Sequence, residues 1–316
     1  MEIKTFDDFI ASVIDVLKEE FQDCGVETAR VMKNNGIRPC SVTVKPPGGT
    51  GIKDMHVAPN VYMETYFADF QKGRPFENII NELKSIYRQG MDNTEVGIQA
   101  GMVLDFDRIK DSICYMLVNK VLNAEFLSTV PHRDLYSLAV IYYIRLAPSD
   151  EGFATVKITD KLAGRWGVSE DELYETARAN TPRLERGCVI PLLEIMDDNS
   201  QRDTSGRCSR YDSFDLTDAR EGDLPMLVAT NASKTYGAAV IMYDRLLEAV
   251  SERLGSFYVL PSSIHECILA PASLGDAGAM TRMVKDINAT GVKAEEILYD
   301  GCFYYDAGKH KLQRAC

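Results

Sequence analysis

At 316 residues, with 45% hydrophobic and 26% charged residues, the chain has the composition of a globular protein of one large or two ordinary domains, which excludes a disordered or fibrous one. A formal net charge of −12 argues against a broad surface for nucleic acid or anionic membrane, and the longest apolar run, 138–144, is too short to span a bilayer. The acidic N-terminus, Met1-Glu-Ile-Lys-Thr-Phe-Asp-Asp-Phe, is unlike a signal peptide, so a cytoplasmic location is expected. None of the eight cysteines falls in a Cys-x-x-Cys pair, and the four histidines are isolated. Reduced, structural cysteines and no metal or cofactor are therefore expected.

In chain order, Phe6, Phe9, Ile10, Val13, Leu17 and Phe21 recur at helical spacing behind a Thr5/Asp8 cap, with Gly25 as a stop. Strands are expected at 30–37 and 40–45 around Asn35-Gly36, and a short one at 60–64 after a Pro/Gly loop at Pro46–Gly51. A helix bearing Phe76, Ile79, Ile80, Leu83, Ile86 and Tyr87 follows, stopped by Gly90. Ile113–Val118 predicts a strand. The unbroken run Leu138–Ile144 predicts a strand buried on both faces, pairing with 153–158. Ser169 and Glu172 form a capping box before a helix that Pro182 ends, with Trp166 as a core anchor beneath it. Beyond a polar stretch at 197–223, strands are expected at 226–229, 238–242, 257–260 and 264–269, helices around Leu246–Leu254 and Met280–Ile287, and a closing hairpin turning at Asp306–Lys309. Hairpins dominate, so the predicted fold is α+β with mixed, largely antiparallel sheets and packed amphipathic helices. The segments divide as an N-terminal helix-hairpin-helix module (1–90), a central α+β segment (105–190), a polar linker or mobile excursion (191–224) and a C-terminal α+β segment (225–316).

No nucleotide loop is present, because Gly48-Gly-Thr-Gly51 lacks a following Gly-Lys-Ser/Thr, and no Gly-x-Ser-x-Gly elbow occurs. Two clusters carry candidate catalytic chemistry. His132, Arg133 and Asp134 combine an imidazole, a guanidinium and a carboxylate, suited to anion binding or acid–base work, or to pairing at a strand entrance. Ser263, His265 and Glu266 carry hydrolase groups, but on a strand Ser263 and His265 lie about 6.6 Å apart, too far for a hydrogen bond. Asn231, Lys234 and Tyr236 are candidate ligand contacts in a turn. Arg30, Lys33, Arg38, Lys45 and Lys53 form a basic stretch that fits a solvated face or a small anionic contact.

Lys33-Asn-Asn-Gly, Pro59-Asn-Val-Tyr-Met-Glu, Val130-Pro-His-Arg-Asp-Leu and Glu151-Gly-Phe-Ala-Thr-Val-Lys-Ile-Thr match one family pattern. So do Trp166-Gly-Val-Ser-Glu-Asp-Glu-Leu-Tyr, Thr230-Asn-Ala-Ser-Lys-Thr-Tyr-Gly-Ala-Ala, Leu260-Pro-Ser-Ser-Ile-His-Glu and Val284-Lys-Asp-Ile-Asn-Ala-Thr. On these stretches the chain resembles the uncharacterised bacterial family catalogued as domain of unknown function 5688. The resemblance implies a bacterial source and carries no catalytic residue. The expected function is thus a cytosolic, non-catalytic binding or regulatory protein whose partner is another protein. The alternatives are a hydrolase or transferase with a composite site of His132, Arg133, Asp134, Ser263, His265 and Glu266, and nucleic-acid contact through the basic hairpin.

Overall fold

A computed structural model of the chain describes residues 3–45, 61–92, 102–149, 152–193, 226–243 and 245–315. The expected loop at Pro46–Gly51, Lys53 and the polar stretch at 197–223 lie outside these residues. Two compact units emerge, Met1–Lys33 with Ile37–Arg108, and Asn34–Gly36 with Ile109–Cys316.

In the first unit, α1 (Phe6–Glu20) begins at a complete capping box. The Thr5 hydroxyl accepts the Asp8 N–H at 3.1 Å while the Asp8 carboxylate accepts the Thr5 N–H at 3.0 Å. Between Lys33 and Ile37 the chain passes through Asn34–Gly36, which belong to the second unit; Asn35 and Gly36 both take positive φ, 60° and 70°, as an Asn-Gly turn favours. The strands stand farther from that turn than expected, however: β1 is Gly25–Arg30 and β2 is Cys40–Lys45. A 3-10 turn at Asn34–Gly36 and the missing N–H of Pro39 interrupt the regular ladder between them. β3 (Val61–Tyr62) pairs with β2, and Met63 opens α2 (Met63–Gln71) where a continuing strand was expected. The next helix, α3 (Phe76–Asp92), runs through Gly90. Phe9, Val13 and Leu17 of α1, Val42 and Val44 of β2, Met63, and Ile79, Leu83 and Tyr87 of α3 form one buried cluster. Each such side chain contributes about 1.5–3 kcal/mol by leaving water.

The second unit holds two antiparallel sheets. β4 (Ile113–Asn119), α4 (Ala124–Leu127), β5 (His132–Leu135), β6 (Leu138–Ser149) and β7 (Gly152–Lys157) come first, with β6 pairing to β4, β5 and β7. Leu138–Ile144 is buried throughout, as its unbroken apolar run requires. α5 (Asp160–Trp166) is capped by the Thr159 hydroxyl and ends at Gly167 in the left-handed region. Trp166, expected as a core anchor, is the half-buried last residue of that helix. The Ser169/Glu172 box starts α6 (Glu170–Leu184), and Pro182 sits inside its final turn.

The six-stranded sheet is built from β8 (Gly187–Pro191), β9 (Leu227–Asn231), β10 (Phe257–Leu260), β11 (Cys267–Pro271), β12 (Phe303–Asp306) and β13 (Lys311–Arg314), in the order β13-β12-β10-β11-β9-β8. α7 (Leu246–Leu254) and α8 (Ala277–Gly291) accompany it. Two expected strands are corrected. Gly237–Met242 is a 3-10 helix, buried from Gly237 to Ile241, and residues 264–266 are irregular ahead of β11. The apolar run at 237–242 satisfies its backbone through tight turns and through Ala238 N–H to the Ile264 carbonyl at 3.3 Å, so it needs no strand neighbour. The architecture is α+β with antiparallel sheets, as its hairpin-rich sequence implies. Among the described residues no helix is long and apolar enough to cross a membrane. Cys24, Cys40, Cys114, Cys267 and Cys302 are outside any disulfide, but Cys188 is disulfide-bonded, which corrects the expectation of reduced cysteine.

One charge lies deep in the second unit. Glu185, 1% exposed, accepts a hydrogen bond from Arg145 Nε at 2.6 Å, and its carbonyl accepts the Tyr243 hydroxyl at 2.6 Å. Removing one member of such a pair strands the other in a poor solvent, whereas replacing both does not. Arg145→Met is expected to destabilise the chain by about 3–5 kcal/mol, and adding Glu185→Leu to recover most of that loss. Denaturant unfolding of the single and double variants measures it.

Candidate functional site

The end of β9, the turn after it and the approach to β11 gather six of the nine candidate residues. Asn231, 3% exposed, closes β9 and organises the turn that follows. Its amide donates to the Thr235 carbonyl at 2.8 Å, and its oxygen accepts the Thr235 N–H at 3.2 Å and the Ser233 hydroxyl at 3.1 Å. Within that turn Lys234 and Tyr236 take φ of 54° and 55°, a conformation costly for side chains of this size. What holds it is packing and hydrogen bonding on its inner side. Gly237 follows so closely on the chain that a Cβ there would stand 2.3 Å from the Thr230 hydroxyl and 2.4 Å from the His265 carbonyl. The same Thr230 hydroxyl donates to the His265 carbonyl at 2.8 Å.

His265 completes the arrangement. Its Nδ1 accepts the Tyr236 main-chain N–H at 3.3 Å, and its ring lies parallel to that of Tyr236, centroids 6.1 Å apart. Tyr236 in turn packs edge-on against Tyr143 of β6, 5.3 Å away. An accepting Nδ1 leaves the proton on Nε2, so the ring offers a donor rather than a base. Ser263, 3% exposed, accepts the His265 main-chain N–H at 3.0 Å and makes no hydrogen bond to the His265 ring. Glu266 is partly buried, and that burial, with Glu296 nearby, raises its carboxyl above the ordinary value of 4.5 despite the opposing influence of His265. Lys234 points outward at the exposed crest of the turn.

The other cluster is dispersed by strand alternation. On β5, His132 and Asp134 face one way and Arg133 the other. Arg133 is held by Glu170 at 2.8 Å and by Asp171, stacks on Tyr174 at 4.0 Å, and shares Glu170 with the Tyr142 hydroxyl. These carboxylates hold the guanidinium firmly in its charged form. Asp134 pairs with Lys120. His132 Nδ1 lies 3.0 Å from the Val130 carbonyl, which can only accept, so Nδ1 carries the proton and Nε2 the lone pair. No hydrogen bond, ion pair or ring contact joins His132, Arg133 or Asp134 to Ser263, His265 or Glu266 among the described residues. In the basic hairpin, Lys45 is paired with Glu27 at 2.5 Å and Lys33 lies over the Tyr62 ring at 3.8 Å.

His132 does line a cavity. A groove of about 530 Å³ opens between α4, β5, α5 and the start of α6. Leu127, Val130, Ala163 and Val168 supply its apolar lining, and Ser128, His132, Asp160 and Glu170 its polar side chains. Asp160 and Glu170 escaped the sequence reading because each follows a helix cap, Thr159 or Ser169, and so reads as a first-turn acid. The two caps, ten residues apart, were the available signal that both carboxylates sit at neighbouring helix starts. Among the described residues no group of three His, Cys, Asp or Glu is placed to hold a metal ion.

Residues 6–307 match a protein family described as a family of unknown function, DUF5688. The chain belongs to that family. No curated protein and no solved structure matches it. For this DUF5688 chain the chemistry is therefore read from its own side chains.

Three substitutions in this DUF5688 chain have defined outcomes. Gly237→Ala is expected to destabilise by at least about 2 kcal/mol, because the new methyl meets main-chain atoms that cannot rotate away. Gly291→Ala, where nothing lies within 4 Å, is expected to be neutral or stabilising. Thermal unfolding separates them. A carboxyl with a raised folded pKa contributes stability that is fully present below its ordinary 4.5 and is lost as pH climbs through the raised value. Glu266→Gln is thus expected to raise the melting temperature at neutral pH, with the gain fading below pH 4.5.

Proposed function

We propose that this chain is a non-catalytic binding or regulatory protein of the cytoplasm that recognises another protein. The observation that carries this reading is the uncoupling of hydroxyl and imidazole at its most enzyme-like cluster. Ser263 accepts the His265 main-chain N–H at 3.0 Å and makes no hydrogen bond to the His265 ring, whose Nδ1 accepts the Tyr236 main-chain N–H at 3.3 Å, so hydroxyl and imidazole are not coupled as nucleophile and base. Arg133 and Asp134, which a composite hydrolase or transferase site would recruit, are engaged by Glu170, Asp171 and Lys120. The net charge of −12 supports a partner other than nucleic acid.

The test immobilises the chain and passes a lysate of its source organism over it, beside assays with nitrophenyl acyl and phosphoryl esters. A protein retained at micromolar concentration, with no ester turnover above that of His265→Ala, is the expected result. Absence of any retained protein, or turnover that His265→Ala abolishes, contradicts it.

A further inference from the structure

The groove beside His132 has a chemical bias that narrows what can enter it. Its apolar wall of Leu127, Val130, Ala163 and Val168 suits an aliphatic stem. Its polar side chains, by contrast, offer a ligand acceptors alone. Asp160 makes no side-chain hydrogen bond or ion pair among the described residues, so its carboxylate is open. His132 directs Nδ1–H to the Val130 carbonyl, leaving the Nε2 lone pair. Glu170 is an acceptor shared with Arg133 and Tyr142, and Ser128 has its proton on the Glu125 carbonyl at 2.7 Å. No cation is among the lining residues; of those close by, Arg133 is held by Glu170 and Asp171, and Lys157 lies over the Phe126 ring at 4.8 Å.

We propose that this groove receives a lysine side chain of the partner protein, its aliphatic stem along the apolar wall and its ammonium among Asp160, His132 and Glu170. Three separate acceptors match the three N–H bonds of an ammonium, whereas a guanidinium is best met by the fork of a single carboxylate. The acidic balance of the chain complements a basic partner. At about 530 Å³ the groove exceeds one lysine side chain and leaves room for the main chain that presents it. This inference rests on the binding function proposed above and names what is bound.

The test is a titration of the whole chain with Nα-acetyl-lysine methylamide, followed by the His132 ring proton signal in NMR, which His132→Gln identifies by its loss. The norleucine and Nε-acetyl-lysine analogues keep the stem and lack the charge. Capped lysine is expected to move the His132 signal with a millimolar dissociation constant, and the uncharged analogues to leave it in place. Asp160→Asn is expected to weaken binding about fivefold, with an unchanged melting temperature showing that the fold is intact. An equal response to norleucine, no response to lysine at about 50 mM, or an unchanged constant in Asp160→Asn overturns the proposal. If lysine fails while a partner is still retained from lysate, the ligand class falls and the binding function stands; if lysine binds and no protein is retained, the reverse holds.

Discussion

The hydrogen bond from the Tyr236 main chain to His265 Nδ1 is the constraint on which the functional reading of this protein depends. Tyr236 stands in the left-handed region, and such backbone persists only where its surroundings over-determine it. Here Asn231 binds the turn from within, Gly237 admits the Thr230 hydroxyl and His265 carbonyl at distances no side chain permits, and the His265 ring closes the arrangement. The bulk of Tyr143 stands behind Tyr236. Residues that resemble a hydrolase in sequence thus act as a clasp joining the β9 turn to the β11 approach. The functional groups are present, but Ser263 makes no hydrogen bond to the His265 ring, and His265 Nδ1 is turned to the Tyr236 main chain.

The clasp is set in a rigid background. β4 and β6 are buried along most of their paired length, from Ile113↔Ile144 to Asn119↔Leu138, so the strand carrying Tyr143 has little freedom to shift. Glu185 and Arg145 add a buried charge pair, with Tyr243 tied to the Glu185 carbonyl. Burial also pushes the Cys114 thiol up to about 12, and the Cys267 thiol is likewise raised by complete burial. Both therefore behave as small apolar groups, not as nucleophiles. The groove beside His132 differs from this interior, being open, lined by acceptors, and placed where two helices begin.

Most of the fold was legible because its signals are local. The Thr5/Asp8 and Ser169/Glu172 boxes mark helix starts through hydrogen bonds made within four residues. The unbroken run Leu138–Ile144 announces a doubly covered strand. The misreadings arose where tertiary contact overrode a local pattern. Ala238–Met242 is apolar without a period, so strand and buried helix look alike until the Ile264 carbonyl is seen to hold Ala238. The Asn35-Gly36 turn was correctly placed, but the ladder flanking it is broken by Pro39 and the 3-10 turn. The candidate site was half legible. Asn231, Tyr236 and His265 were all singled out, yet nothing in their spacing tells that one histidine nitrogen would face a tyrosine main chain. Asp160 and Glu170 were hidden by their second role as first-turn helix acids.

The most direct measurement is the long-range proton–nitrogen NMR spectrum of the His265 imidazole, which reports which ring nitrogen carries the proton. A neutral ring protonated at Nε2, with an unprotonated Nδ1 shifted by hydrogen bonding, is the expected pattern, lost when Gly237→Ala forces the turn apart. A proton on Nδ1, or a ring exchanging freely between tautomers, would contradict the inward-facing clasp and return His265 to the list of available bases.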